Sequence, residues 1–185
     1  MRNVLILSII WGTHIICAQS KNDIKKYHVR SVIEESSKIE NGVTIVKKEL
    51  NTYDASGNLT EEAVFINDKL EKKESRKFNK NNEETEHSIY NKDGTMKKKV
   101  VKKYNNSGKV SEEYNYDGAG KLITKEIYSF NNFGDKSQEL IYNGSGELEE
   151  KVTYKYNSKG LKTEKLTFDN KDRLIGKKTY TYSFK

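Results

Sequence analysis

Tyr142-Asn143-Gly144-Ser145-Gly146-Glu147-Leu148-Glu149-Glu150-Lys151-Val152-Thr153-Tyr154-Lys155-Tyr156 holds the plan of most of the chain. Asn143 favours the first position of a type I turn, and Gly146 supplies the left-handed residue that closes a hairpin. From Leu148 the residues alternate. Leu148, Glu150, Val152, Tyr154 and Tyr156 share one side, and Glu149, Lys151, Thr153 and Lys155 share the other. That period of two, in residues rich in β-formers, reads as a half-buried strand.

The same unit recurs in both directions. Its aromatic anchors are Tyr53, Phe65, Phe78, Tyr90, Tyr104, Tyr116, Phe130, Tyr142, Tyr156, Phe168 and Tyr182. From Phe78 onward their spacing alternates between 12 and 14, so the true period is a pair of units of 26 residues. Fixed-period self-similarity implies a repeat architecture. Gly57, Gly94, Gly108, Gly120, Gly134, Gly146 and Gly160 hold the matching turn position. Asn82 and Asp172 replace glycine in two turns, and Asn and Asp tolerate positive φ better than other side chains. Asn67-Asp68 suits a two-residue turn, and Asn41-Gly42 is a hairpin signal further upstream. The Asx residues lack the spacing of a calcium loop.

The expected fold is all-β: an antiparallel meander of about twelve strands with one apolar and one solvated face. Both spacings are even, so simple alternation puts every anchor from Phe78 on one face. Strands of unequal length add a stagger of two residues per hairpin, roughly 6.7 Å of rise for roughly 9.6 Å of advance across the sheet. The implied tilt of about 35° predicts a sheet curled into a spiral or barrel-like form with its aromatic face inward. An open sheet covered by a partner is the alternative. A polar band of Lys98, Lys102, Glu112, Glu126, Glu150, Glu164 and Lys178 then crosses the inner face, paired in ladders such as Glu164 with Lys178.

The domain organisation follows from composition. Residues 1–18 read as a secretory signal: Arg2 for charge, an apolar run around Val4 to Ile10, and Ala18 as a small residue for cleavage. Lipid attachment at Cys17 is one rival, with Ile16 standing where such sites favour a small residue, and a buried N-terminal strand is another. Residues 19–26 read as a flexible start, 27–52 as a lead-in hairpin, and 53–185 as the repeat domain. Cleavage removes Cys17, Trp11 and Arg2; the mature chain has no cysteine, and the formal charge goes from +7 to +6. Mixed Lys and Glu at that net charge do not form a nucleic-acid-binding block.

The units Tyr53-Asp54-Ala55-Ser56-Gly57-Asn58-Leu59, Tyr116-Asp117-Gly118-Ala119-Gly120-Lys121-Leu122 and Tyr156-Asn157-Ser158-Lys159-Gly160-Leu161 resemble the YD-repeat family of bacterial RHS proteins. The resemblance implies a spiralling β-sheet shell, though this chain is too short for a large cage and shows no appended toxin or protease core. A looser similarity links the units to MORN-type repeat antitoxins, which implies a toxin-neutralising role. The leader and the Ala18-Gln19 junction look similar to those of secreted Bacteroidetes proteins.

No nucleophile elbow, phosphate loop or zinc spacing is present, and His28 and His87 have no ligand-spaced partners. Glu residues recur once per repeat, which argues against a unique carboxylate pair. The expectation is a non-catalytic, exported, secreted, periplasmic or cell-surface scaffold or protein-interaction module, with no cofactor and no stable membrane insertion. A glycan- or cell-wall-binding module is the alternative. Its candidate ligand-binding residues are Tyr114, Tyr116, Tyr128, Tyr154, Tyr156 and Tyr180, whose rings could stack on sugar faces.

Overall fold

The structure is a computed structural model that describes residues 20–184 and, before them, the backbone of Ile6–Ser8. Its elements are β1 (Ile6–Ser8), α1 (Lys21–Lys26), β2 (Ser31–Glu40), β3 (Val43–Tyr53), β4 (Leu59–Ile66), β5 (Lys69–Phe78), β6 (Glu84–Tyr90), β7 (Met96–Tyr104), β8 (Val110–Asp117), β9 (Leu122–Phe130), β10 (Lys136–Asn143), β11 (Leu148–Tyr156), β12 (Lys162–Asp169) and β13 (Leu174–Thr179). Strand order is chain order, and among the described residues no ladder joins β13 to a strand other than β12. The chain is therefore an all-β meander of twelve antiparallel strands, β2 to β13, and it is not closed into a barrel. It divides into two compact units, Met1–Lys99 and Val100–Lys185, with the division inside β7.

The expected signal segment lies outside the described residues, apart from Ile6–Ser8, which run parallel to Ile33–Glu35 of β2. Residues expected to be a flexible start instead contain α1. Ser20 caps it by accepting from the Asp23 N–H at 3.2 Å, and Ile24, at 1% exposure, is its buried residue. The Lys21 ammonium reaches the side chain of Asn58, seating the helix on the turn after β3. The lead-in hairpin is formed by β2 and β3 around Asn41-Gly42, with φ of 51° and 79°.

The repeat turns share one hydrogen-bond scheme. At Asn157, Oδ1 accepts from the Lys159 and Leu161 N–H groups at 3.0 Å each, while Gly160 N–H donates to the Asn157 carbonyl at 3.0 Å. The anchoring Asx thus satisfies the turn's own donors. Gly160 sits at φ 72°, and Asp172, where glycine is missing, at 57°.

A β-bulge then follows the turn in every hairpin from β3 to β6 and from β8 to β13, and the alternation alone did not reveal it. Tyr142 pairs with Leu148, yet Ile141 pairs with Glu150, leaving Glu149 unmatched. Ile123, Ser137, Thr163 and Ile175 are skipped in the same way in the second unit. Thr60, Glu71 and Thr85 are skipped in the first. One inserted residue exchanges the faces of the strand that carries it.

The anchors therefore do not share a face, and the single apolar face is corrected. In the second unit Tyr114, Tyr116, Leu140, Tyr142, Leu166 and Phe168, from β8, β10 and β12, lie on one side. Tyr128, Val152, Tyr154 and Tyr156, from β9 and β11, lie on the other. On each side an apolar row alternates with a row of Lys, Thr or Glu. Among the described residues of this unit Val152 is the one hydrophobic side chain in the buried core, at 2% exposure. With apolar surface divided between two faces, neither gains enough burial to curl the sheet shut, and the inward aromatic face that was expected is absent from this unit.

Candidate functional site

The side chains with the richest chemistry lie on the Tyr128 face of the second unit. Tyr128 Oη donates to Glu126 at 2.6 Å, and Tyr154 Oη donates to Glu139 at 2.9 Å. Lys136 Nζ sits 3.8 Å from the Tyr128 ring centroid, and Lys162 Nζ sits 4.4 Å from that of Tyr154. Tyr156 and Tyr182 donate to the Lys136 and Lys162 carbonyls, each at 2.7 Å. Tyr128 and Tyr154, Lys136 and Lys162, and Tyr156 and Tyr182 are all 26 residues apart, so one constellation is printed twice.

The electrostatics follow from this packing. Burial, then the hydrogen bond to Glu126 and the charges of Glu126, Glu113 and Glu139, push the Tyr128 phenol well above its ordinary value. Burial and Glu139 do the same to Tyr154. Each ring face carries an ammonium, a favourable cation–π arrangement, so a stacking ligand would first have to displace a lysine.

The candidate tyrosines do not form one surface. Tyr128, Tyr154 and Tyr156 share the face just described, and Tyr180 joins them through its N–H bond to the Thr163 carbonyl at 3.0 Å. Tyr114 and Tyr116 point to the opposite side. There Tyr114 Oη bonds Glu112, while Lys103 reaches Glu112 at 3.1 Å and Tyr114 Oη at 3.0 Å. All six tyrosines are half-buried.

The expected polar band is likewise split. Glu112 and Glu164 lie on the Tyr114 face, and Glu126, Glu150 and Lys178 on the Tyr128 face. The bulge at Ile175 moves Lys178 opposite Lys165, so Glu164 is held by Lys155 at 2.8 Å and Lys177 at 3.1 Å instead of by Lys178. Hydrogen bonds from Lys155 and then Lys177 keep its carboxyl below the usual range.

The first unit carries a second polar cluster on β4, β5 and β6. Lys72 bridges Glu62 at 2.9 Å and Glu74 at 3.4 Å. Arg76 pairs with Glu74 and lies 3.5 Å from Glu84. His87, which has no ligand-spaced partner in the sequence, is half-buried and bonds Glu74 at 3.0 Å. Burial alone would raise the Glu74 carboxyl; the bonds from His87 and Lys72 and the charge of Arg76 hold it below its ordinary value. Among the described residues no group of three His, Cys, Asp or Glu side chains could hold a metal ion.

Two features escaped the sequence reading. The lysine caps follow their tyrosines by eight residues, a spacing that acquires meaning only when the turn and bulge are counted together. Gly144 is needed because a Cβ there would collide with the Leu122 carbonyl oxygen. The signal was the extra glycine in Asn143-Gly144-Ser145-Gly146, matched in Asp117-Gly118-Ala119-Gly120 but replaced by Ala55, Lys80, Lys92, Asn106, Asn132, Ser158 or Asn170 in the other repeat turns.

No family model matches the chain, and no curated protein matches it. Among solved structures it is similar to a porin-like protein from Bacteroides uniformis, with 13% identity, a TM-score of 0.37, and coverage of 81% of this chain and 55% of the other. It is also similar to a mutant of the Photorhabdus luminescens Tc holotoxin pore, with 9% identity, a TM-score of 0.43, and coverage of 72% of this chain and 8% of the other. The chain thus spans about half the length of the first of these structures and a small part of the second. Similarity at that level assigns no family.

Proposed function

We propose that the protein is a non-catalytic, exported β-repeat scaffold of the YD-repeat type that serves as a protein-interaction module. The observation that carries this reading is the duplicated Tyr128–Lys136 and Tyr154–Lys162 constellation. Its polar groups repeat along the sheet on successive hairpins, whereas catalysis needs unlike groups converging on one reacting atom. Open sheets present polar rows and strand edges that partner chains can pair with.

A glycan-binding reading has one observation in its favour: Tyr128, Tyr154 and Tyr180 line one face on alternate strands, roughly 9.6 Å apart, a spacing suited to a linear polymer. The lysine over each of the first two rings weighs against it. One experiment separates the readings. Photo-crosslinkers at Thr153 and Thr167 are used to identify bound molecules on the two faces of the exported protein, alongside titration with soluble cell-wall fragments. A defined protein crosslinked at one face, and lost on charge reversal of that face, supports the scaffold. Saturable glycan binding abolished by Tyr154→Ala supports the alternative. Turnover of a glycosidic, ester or peptide bond overturns both.

A further inference from the structure

The two ends of the strands in the second unit differ in character. At one end lie the turns between β8 and β9, β10 and β11, and β12 and β13. They carry Asp117, Lys121, Glu147, Asp169, Lys171, Asp172 and Arg173, a nearly balanced set with no aromatic at the tip. At the other end lie the turns before β8, between β9 and β10, and between β11 and β12. Here the turns carry Lys109 and Lys159 against Asp135. Lys136 and Lys162 begin the strands that follow, with their ammoniums over the Tyr128 and Tyr154 rings and Lys136 also paired with Glu139.

Phe133 stands at the tip of the middle turn of this basic end and is 92% exposed. Ser107 and Lys159 occupy the same position of the neighbouring turns, so turn chemistry does not call for an aromatic there. The surrounding turns are tied together. The Lys109 ammonium bonds the Gly134 carbonyl beside Phe133 and lies 5.3 Å from the Phe130 centroid. Lys159 lies 4.2 Å from the ring centroid of Phe184, which is itself 65% exposed.

We propose that this end of the second unit is a docking surface for an anionic lipid bilayer. Charge complementarity and the bare ring together identify the occupant. Lysines at headgroup depth attract anionic phosphates, with their stems lying along apolar surface, while an exposed phenylalanine at the tip gains by leaving water. A protein partner would more commonly offer a pocket to such an anchor, and then binding would not require a bilayer. The attachment is peripheral and turn-mediated, and it leaves both sheet faces free for the interaction role proposed above.

The test places a fluorophore at the tip. In a Trp11→Phe background, the Phe133→Trp variant is added to vesicles of phosphatidylcholine alone or mixed with phosphatidylglycerol, each containing brominated lipid. The expected result is quenching of the indole emission of Phe133→Trp only with the anionic vesicles, and no quenching of a Ser145→Trp reporter at the opposite end. In parallel vesicle sedimentation, Lys159→Glu weakens binding at least about fivefold and Phe133→Ser about tenfold, while Lys171→Glu leaves it unchanged. An unquenched tip, equal quenching at the two ends, or equal binding to neutral and anionic vesicles overturns the proposal. Any leader retained is the same in every variant, so it cannot produce the differences between them.

Discussion

Glu62 and Glu74 stand directly opposite each other across β4 and β5, two carboxylates in a position where like charges repel. Lys72 spans the pair, and Arg76 and His87 approach Glu74 from its other side. Glu74→Gln removes the hub and leaves Arg76 and Lys72 short of a counter-charge. It is expected to cost ~1–3 kcal/mol at neutral pH, the range for leaving a buried polar partner unsatisfied, as read from urea midpoints.

The same hub sets an acid limb. The folded-state carboxyl of Glu74 is depressed, so its contribution is fully present above the unfolded carboxylate value. It is lost as pH falls through the folded value. The native protein should weaken as pH drops below the ordinary carboxylate range, and the Glu74→Gln variant should do so less steeply. Parallel curves for the two proteins would remove Glu74 from the account.

Tyr128 and Tyr154 predict the alkaline limb, with the opposite sign. Their phenols are raised in the folded state, so the stability they contribute is present below the ordinary phenol value and lost as pH climbs through the folded one. Ultraviolet titration of phenolate should show a late-ionising fraction that contains these two tyrosines, with Tyr53 and Tyr156 also raised by burial. Tyr128→Phe should shrink the delayed portion of the signal.

Gly144 and Gly160 are glycines with different reasons. A Cβ at Gly144 meets the Leu122 carbonyl oxygen, whereas one at Gly160 meets nothing and faces only the penalty of φ 72°. Gly144→Ala should cost ~1–3 kcal/mol through steric displacement, and Gly160→Ala about 1–2 kcal/mol through backbone strain. Replacing Gly160 by Asn should recover part of the loss, and Gly144→Asn should recover none. Thermal unfolding of the four variants distinguishes the two causes.

Deleting Glu149 removes a bulge without touching a turn. The strand beyond it would then turn Val152 and Tyr154 toward the opposite side. The variant should lose more than ~3 kcal/mol, since several half-buried apolar side chains change environment together. Hydrogen exchange should show protection lost first in β10, β11 and β12. An unchanged exchange pattern would mean that the bulges are incidental.

Much of the fold was legible because it is written in local chemistry. Asx and Gly residues specify each turn through bonds within a few residues, as Asn157 and Gly160 show. The strands follow from alternation between those turns. The faces were not legible, because a skipped residue such as Glu149 or Ile123 leaves no mark in the alternation of its own strand. It shows only against the neighbouring strand. The tyrosines named as candidates were therefore assigned to one surface that the pairing divides. Lysine caps and the Glu74 hub were hidden for the same reason, since Lys72 and His87 acquire their partners across strands. Helix α1 was missed because a single buried residue, Ile24, anchors it.

The bulges also constrain how such a chain can grow or shrink. Each strand presents its apolar side opposite to that of the strand before it, so consecutive strands in the second unit are unlike and only alternate ones are equivalent. A duplication or loss of one 26-residue pair leaves every remaining neighbour beside a strand of the correct kind. A change of 12 or 14 residues would set two strands of the same kind side by side and reverse everything downstream. The heritable module is thus the hairpin with its two bulges, and length variation in proteins built this way should come in whole hairpins.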